Sequence, residues 1–553
     1  MEPDAARREI DATLRKSGFA SAGGALPTYT GTIRVHGKDV RVLIEFPDFR
    51  LIERPRIHLV DRSELAAELL AHIETATGIC YASSVGLPFD NAKPGEAVLR
   101  MLAEAATTLE RSYRGQGAAE VADEYQHYWR SEHSAWSLLP RRGPPGIAAA
   151  KLFAAERESS HGIMIAESDE IRGWTVKPLR DVLIVRSEGR IGPDGKKGAP
   201  STLPALERWW GLQGALRHVS WSRIATALAD GAIVFAFAAN ALVGFRQLIP
   251  KHLSDAVRRG AIRRTKLPAM LAATKDAHMI ERWSVADCSL ERIITRNTPE
   301  SVNLAGKAIA LVGCGTIGSH LARMLVQSGA GSKQPFHLFD TESLDPGNLG
   351  RHLLNFADMG KMKAEALAAE LERFHPDIRI TPHVAEAVAN WEQLKACDLV
   401  IDVTGDWNVQ CALNELFLTN RGDRLAALLH AYVFANGVAA QSFLNLGDDK
   451  ACFRCLKPDF AGKWRFPGFQ NDVETKFTPA TCGDGTYAAF SVDSPVIAAS
   501  LANRAALDWA RGASGQRLRT VQVDLVKGRY QQPRSPDPDP RCPACGPLRE
   551  KSE

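Results

Sequence analysis

Residues Leu311 to His320 read LVGCGTIGSH, and the stretch from Asp340 to Arg351 reads DTESLDPGNLGR. The apolar run Ala308 to Val312 enters the first stretch as a strand, and a helical pattern leaves it as far as Ser328. Gly313, Gly315 and Gly318 therefore fall at a strand-to-helix turn, spaced GxGxxG. Glycine lets the backbone pass close to a phosphate, and a helix N-terminus offers unpaired N–H groups and the positive end of a dipole. By itself the spacing serves NAD, FAD and ATP sites alike. Asp340 ends a second strand, His337 to Phe339, and is placed to accept hydrogen bonds from ribose hydroxyls. That also fits a dinucleotide.

The residues beyond Asp340 separate the two. Asn348 and Arg351 follow closely, and Lys363 ends the run GKMK (Gly360 to Lys363) at the start of the next helix. Two cations converging on a glycine turn suit a triphosphate attacked at its α-phosphate, where charge must be compensated. Hydride transfer has no such need. A further strand, Leu399 to Val403, leads to Thr404-Gly405-Asp406 at the carboxyl edge, where open parallel sheets bind ligands. Asp406 is a candidate Mg²⁺ ligand. The set argues for ATP-driven activation of a carboxylate over an NAD oxidoreductase.

Around this core the chain runs to 553 residues, too long for one hydrophobic core. It is 45% hydrophobic and 24% charged, with a formal net charge of +4, which gives no clear nucleic-acid site. The most apolar run, Ala232 to Phe245, contains Asn240 and is short for a bilayer span, so we read it as buried core rather than membrane. No secretory signal is visible, and ten cysteines in that setting point to a reducing, cytoplasmic compartment. The pattern suggests three domains: an α+β unit over 1–160, a middle segment over 161–290 with weak signals, and alternating strands and helices over 291–553. The basic run Arg258 to Lys266 reads as a solvated helix face.

Cys452-x-x-Cys455 and Cys542-x-x-Cys545 are two CxxC pairs far apart in sequence. Two such knuckles complete a tetrahedral thiolate site for Zn²⁺, and four protein ligands leave no position open for water, so the site is structural. Cys314, Cys397 and Cys411 lie in core-like patterns. Cys482, in TPATCGDGTY, stands apart from both pairs.

The glycine turn, Asp340, NLGR at Asn348 to Arg351, GxxK ending in Lys363 and the acid after the fourth strand together resemble the adenylation domain of the ubiquitin-activating superfamily, of the ThiF and MoeB type. The resemblance covers about 291–545. It implies a Rossmann-like α/β fold with a doubly wound, mostly parallel sheet. It implies ATP phosphate contacts from Asn348, Arg351 and Lys363, with Mg²⁺ positioned by Asp406. The sequence departs in one place: where the family has TDN and then an arginine, this chain has Thr404-Gly405-Asp406 and then Gln410. The family also uses an upstream arginine, often from the other subunit of a dimer; Arg296 is the candidate and Arg292 the alternative. A cysteine at the place of Cys482 attacks the acyl adenylate in that family and forms a thioester. A thiol suits that step because it is nucleophilic near neutral pH.

The N-terminal unit has its own resemblance. IEFPDF (Ile44 to Phe49), Arg54-Pro55-Arg56-Ile57, His72 and Gly78-Ile79-Cys80-Tyr81 resemble the ubiquitin-conjugating fold. Cys80 is the sole cysteine among the first 287 residues, which suits an acyl acceptor. The His-Pro-Asn tripeptide of that fold is absent. His72 stands eight residues before Cys80, where the fold usually carries the asparagine that stabilises the oxyanion. It reads as an oxyanion donor, a base on the incoming amine, or a surface residue. Asp90 is a further candidate for orienting a nucleophile. The fusion is similar to proteins of antiphage operons, which join the C-terminal glycine of a partner, a ubiquitin-like protein or a cGAS-like nucleotidyltransferase, to lysines of targets. The same resemblance implies a homodimer. A sulfur-carrier adenylyltransferase with an accessory binding domain and a non-catalytic docking scaffold are the alternatives.

Overall fold

A computed structural model describes residues 3–23, 25–61, 71–74, 78–81, 88–113, 118–129, 131–194, 198–267, 270, 279–296, 298, 302–420, 426–479, 486–513 and 515–550. The chain forms two compact units, Met1–Glu170 with Trp174–Ser289, and Ile171–Gly173 with Leu290–Glu553.

The first unit begins with the helix Pro3–Lys16, whose Ile10 and Leu14 are fully buried. An antiparallel meander follows, Ala20–Ala22, Thr28–Val35, Lys38–Glu45 and Arg56–Leu59. Alternate residues of the third strand, Val40, Val42 and Ile44, point inward, the period-two pattern of a half-buried sheet. The helix Pro94–Tyr113 lays Val98, Met101, Ala105 and Leu109 on the same core. Their spacing of three and four residues is one helical face. Between sheet and helix lies a short hairpin, Ile73–Glu74 with Gly78–Ile79, which delivers Cys80.

The same unit also holds a closed barrel. Its strands, in order around the barrel, are Thr175–Arg186, Ile233–Phe237, Leu242–Gln247, Ile280–Asp287, His133–Ser137, Ser160–Ala166 and Gly146–Arg157. The barrel thus begins before residue 160, where composition suggested a boundary. Gly146–Arg157 pairs along its length with Thr175–Arg186, a pairing that bridges that position. The apolar run Ala232 to Phe245 is two buried barrel strands. No helix among the described residues is long and apolar enough to cross a membrane.

The second unit is built on a seven-stranded sheet in the order Ile380–His383, Phe336–Phe339, Ile309–Val312, Leu399–Asp402, Ala427–Phe434, Ala439–Asn445, Leu518–Gln522. The pairs through Ala427–Phe434 are parallel and the last two are antiparallel. Strand order reverses between Ile309–Val312 and Leu399–Asp402, and at such a switch point the diverging connections leave a crevice. Ile309 to Val312 and Leu399 to Asp402 are all buried, as expected of central strands covered on both faces. The helices Thr316–Gln327 and Asp493–Ala510 cover the sheet through small residues, Ala498, Ala499, Ala502 and Ala506.

Candidate active site and metal centre

The glycine turn closes the crevice at its base. Gly313 has φ +93, and a Cβ there would meet the Thr404 backbone nitrogen at 3.0 Å. A Cβ on Gly318 would sit 1.9 Å from the Gly313 carbonyl oxygen, so only glycine lets the helix approach its own turn. Gly315 is the N-cap residue of that helix. The Cys314 N–H donates to Asp340 Oδ2 at 2.7 Å and the Glu342 N–H to Asp340 Oδ1 at 2.8 Å. Burial raises the pKa of Asp340, and these two donors oppose that rise. A carboxylate has about four acceptor sites, so ribose hydroxyls still find capacity there.

A cavity of about 760 Å³ opens over the turn. That lies within the usual range for small-molecule sites, roughly 300–1,000 Å³. Gly313, Gly315, Asp340, Asp406 and Gln410 line one part, and Tyr432, Phe434, Trp464 and Phe490 another. Arg351 is not a lining residue but touches two that are: its Nε donates to Thr316 Oγ1 at 3.2 Å, and its guanidinium lies 4.8 Å from the centre of the Phe490 ring. Lys363 is 4% exposed and its Nζ pairs with Glu342 Oε2 at 2.5 Å. Asn348 is turned onto its own loop, its Oδ1 accepting from the Asp345 N–H at 3.0 Å. Arg292 and Arg296 are exposed and stand outside the cavity wall of this chain.

Asp406 caps the helix Trp407–Thr419, its Oδ1 accepting from the N–H groups of Asn408 (2.8 Å) and Val409 (3.0 Å). Asp402, four residues earlier, is fully buried. Its Oδ1 accepts from Thr404 N–H and Oγ1, and its Oδ2 pairs with His430 Nδ1 at 2.8 Å. Sequence reading passed over this buried pair, which fixes the Thr404-Gly405 turn. It also passed over His352. The Leu354 N–H donates to His352 Nδ1 (3.0 Å), so the ring proton sits on Nε2, which donates to the Cys314 carbonyl (2.8 Å). His352 thereby braces the glycine turn, and burial lowers its pKa. The signal was present in NLGRHLL, directly after Arg351.

The four zinc-candidate sulfurs converge. Their Sγ atoms lie within 4.8 Å of one another, with Cys452–Cys455 at 3.8 Å, Cys452–Cys542 at 3.6 Å and Cys455–Cys545 at 3.4 Å. A tetrahedron with Zn–S bonds near 2.3 Å has edges of about 3.8 Å. All four cysteines are buried, and the Asp539 N–H donates to Cys455 Sγ at 3.4 Å. Donor type, spacing and enclosure fit Zn²⁺.

Among the remaining thiols, burial pushes Cys314, Cys411 and Cys288 up, so they are poor nucleophiles at neutral pH. Cys482 lies outside the described residues. The strands on either side of it, Phe477–Pro479 and Thr486–Ala488, pair with each other, and Ala488 lines the cavity. In the first unit Cys80 is exposed, and its N–H donates to the His72 carbonyl at 2.8 Å. The His72 ring faces two carboxylates, Nε2 to Glu120 at 3.1 Å and Nδ1 to Glu124 at 2.7 Å. Asp90 accepts from the Ala92 N–H and so closes its own turn.

Residues 294–544 match the ThiF family and residues 5–137 match the Prokaryotic E2 family B. The chain is a fusion of these two domain families. It is 27% identical to the ATP-dependent ubiquitin transferase-like protein Cap2 of Pseudomonas aeruginosa, over 99% of this chain and 100% of that protein. The protein of the same name from Escherichia coli is 24% identical over 87% of each chain. Among solved structures, E. coli MccB with MccA-N7isoASN is 19% identical, with a TM-score of 0.34 over 46% of this chain and 69% of that chain. The ThiF match takes in the glycine turn, the cavity and three of the four clustered cysteines, ending one residue before Cys545, and the E2 match takes in Cys80.

Proposed function

We propose that this fusion uses ATP to activate the C-terminal carboxylate of a partner protein and passes the acyl group through two thiols to an amine. The observation that carries this reading is the pairing, in one chain, of a nucleotide-sized cavity at a sheet switch point with an exposed cysteine on an E2-type domain. A relative named as an ATP-dependent ubiquitin transferase-like protein matches 99% of its length, which supports ATP-dependent activation within ubiquitin-like conjugation.

In this reading the adenosine ribose hydrogen-bonds to Asp340, and the phosphates lie on the N–H groups of the helix N-terminus beyond Cys314. The partner's carboxylate oxygen attacks the α-phosphorus, the bond to the bridging oxygen breaks, and pyrophosphate leaves. Arg351 and Lys363 compensate the charge that develops. Lys363 must first exchange Glu342 for phosphate, and Arg351 lies within a side chain's swing of the turn. Asn348 contributes from its loop, and Arg296 or Arg292 from the partner copy of a homodimer. Asp406 retains acceptor capacity beyond its helix cap and would hold Mg²⁺, which neutralises phosphate charge. Cys452, Cys455, Cys542 and Cys545 would hold Zn²⁺ as a crosslink that ties the tail of the chain to the sheet. The thiolate of Cys482 then displaces AMP from the adenylate to give a thioester, and Cys80 accepts the acyl group by thiol exchange. A target lysine finally attacks that thioester, forming an amide and releasing the thiol. The partner is a ubiquitin-like protein or a cGAS-like nucleotidyltransferase with a glycine-type tail, and the setting is antiphage defence in the cytoplasm.

The test is ATP–pyrophosphate exchange with a candidate partner, and with the same partner lacking its last residue. Exchange that needs the intact tail supports the proposal. Binding of ATP without any exchange makes the protein a docking scaffold, and loss of tail dependence removes the carboxylate from the scheme.

A further inference from the structure

The geometry around Cys80 points to Glu124, with Glu120, as the positioning residue of that thiol, acting through the backbone of His72. The inference rests on the proposed function in taking Cys80 as an acyl acceptor, and it gives the barrel a role.

His72 has φ +60, a left-handed conformation that a non-glycine residue keeps only when its surroundings enforce it. The enforcement is visible. Glu124 takes hold of His72 twice, its Oε2 accepting from the backbone N–H at 3.2 Å and its Oε1 facing ring Nδ1 at 2.7 Å. The Nδ1 contact is a close approach without hydrogen-bond geometry. Glu120 holds ring Nε2 from the other side at 3.1 Å and is itself paired with Arg111. Tyr128 Oη donates to Glu124 Oε2 at 2.9 Å and fixes the carboxylate. Ser112 Oγ donates to the Ala71 carbonyl at 2.8 Å, holding the residue before. With its ring flanked by two carboxylates, His72 presents its carbonyl to the Cys80 N–H. On the far side of the thiol, Tyr81 is buried and its Oη donates to the Pro55 carbonyl at 2.8 Å.

The mount for Glu124 is the barrel. Tyr125 and Trp129, on the same short helical segment, are fully buried in a cluster with Trp209 and Phe245. Trp129 Nε1 donates to the Gly244 carbonyl at 3.0 Å, and Gln126 bonds the Val285 carbonyl and the Leu242 N–H. One face of the segment is thus cemented to barrel strands while Glu124, held by Tyr128, grips His72. A carboxylate anchored on a rigid element can hold a strained neighbour in place, and small displacements of a reacting group are costly to rate. The imidazole is then the handle by which the loop is held, and its carbonyl sets where the thiol stands.

Two measurements on the full chain test this, using Glu124→Ala, Glu124→Gln and Tyr128→Phe. The first is hydrogen exchange of the segment Gly78–Tyr81, which needs no assumption about catalysis. Glu124→Ala is expected to speed exchange of the Cys80 amide about tenfold, with barrel segments unchanged, and Gln, whose one amide oxygen can still accept from the His72 N–H and Tyr128 Oη, restores most of the protection. The second is single-turnover acyl transfer. Glu124→Ala is expected to slow arrival of the acyl group on Cys80 by about tenfold while thioester formation at Cys482 keeps its rate, and Gln rescues. Wild-type exchange and wild-type transfer in Glu124→Ala overturn the inference. A variant whose barrel segments also lose protection has unfolded, and Tyr128→Phe then decides by the same two rates. If the wild-type chain never carries an acyl group on Cys80, the proposed function fails, while the exchange result still judges the clamp.

Discussion

At the scale of single residues, Lys363 is where the nucleotide reading is most exposed to test. A lysine that is 4% exposed and paired with a largely exposed glutamate is held ready for a stronger anion. Lys363→Ala should lower ATP–pyrophosphate exchange by about a hundredfold or more, as loss of one charge clamp does elsewhere, with little change in melting temperature. Gly318→Ala should do the reverse. Its methyl would sit 1.9 Å from a carbonyl oxygen, so the second unit should lose about 1–3 kcal/mol or more in chemical denaturation. His352, His337 and His383 all have pKa values lowered by burial. Each binds its proton more readily in the unfolded chain. Stability from these groups is therefore full above the unfolded value, about 6.5, and is lost as pH falls below it. The melting temperature should drop between pH 7 and pH 5.5, and His352→Asn should flatten part of that slope.

At the scale of elements, the clustered cysteines predict a structural metal. The purified protein should carry zinc in a one-to-one ratio by elemental analysis, and Cys452→Ser or strong chelators should lower the melting temperature of the second unit. This element was legible from sequence because CxxC spacing is a local constraint that survives any fold around it. The glycine turn was legible for the same reason: strand, turn and helix are contiguous, and Gly318 is dictated by the Gly313 carbonyl five residues before it, although the Thr404 backbone that crowds Gly313 is distant in sequence. The barrel was not legible. Its strands pair Thr175–Arg186 with both Gly146–Arg157 and Ile233–Phe237, and the partner of a strand leaves no mark in the strand's own sequence. The Asp402–His430 pair and the Glu124–His72 clamp escaped notice for the same reason, since 28 and 52 residues separate their members.

At the scale of the whole molecule, the chain unites an ATP-type crevice, an E2-type thiol and a barrel that carries the segment gripping His72. Two thiols are needed if the carboxylate is activated in one unit and the amine is served by the other. The arrangement makes sense as a relay, because a thioester keeps the acyl group reactive while freeing it from the nucleotide site. Asp406 and Gln410, where the ThiF-type pattern has other residues, make the end of the crevice proposed for Mg²⁺ the part of the site most particular to this chain. Gln410 is 4% exposed and lines the cavity, so Gln410→Arg should alter the Mg²⁺ dependence of pyrophosphate exchange more than its maximal rate.

The relay is tested most directly by locating the thioester. The protein is incubated with ATP, Mg²⁺ and a partner with an intact tail, and reductant-sensitive adducts are mapped to individual cysteines in the wild type, Cys482→Ala and Cys80→Ala. A relay gives no adduct without Cys482, an adduct stalled on Cys482 without Cys80, and amide product only when both are present. Undiminished amide product from Cys80→Ala would contradict it.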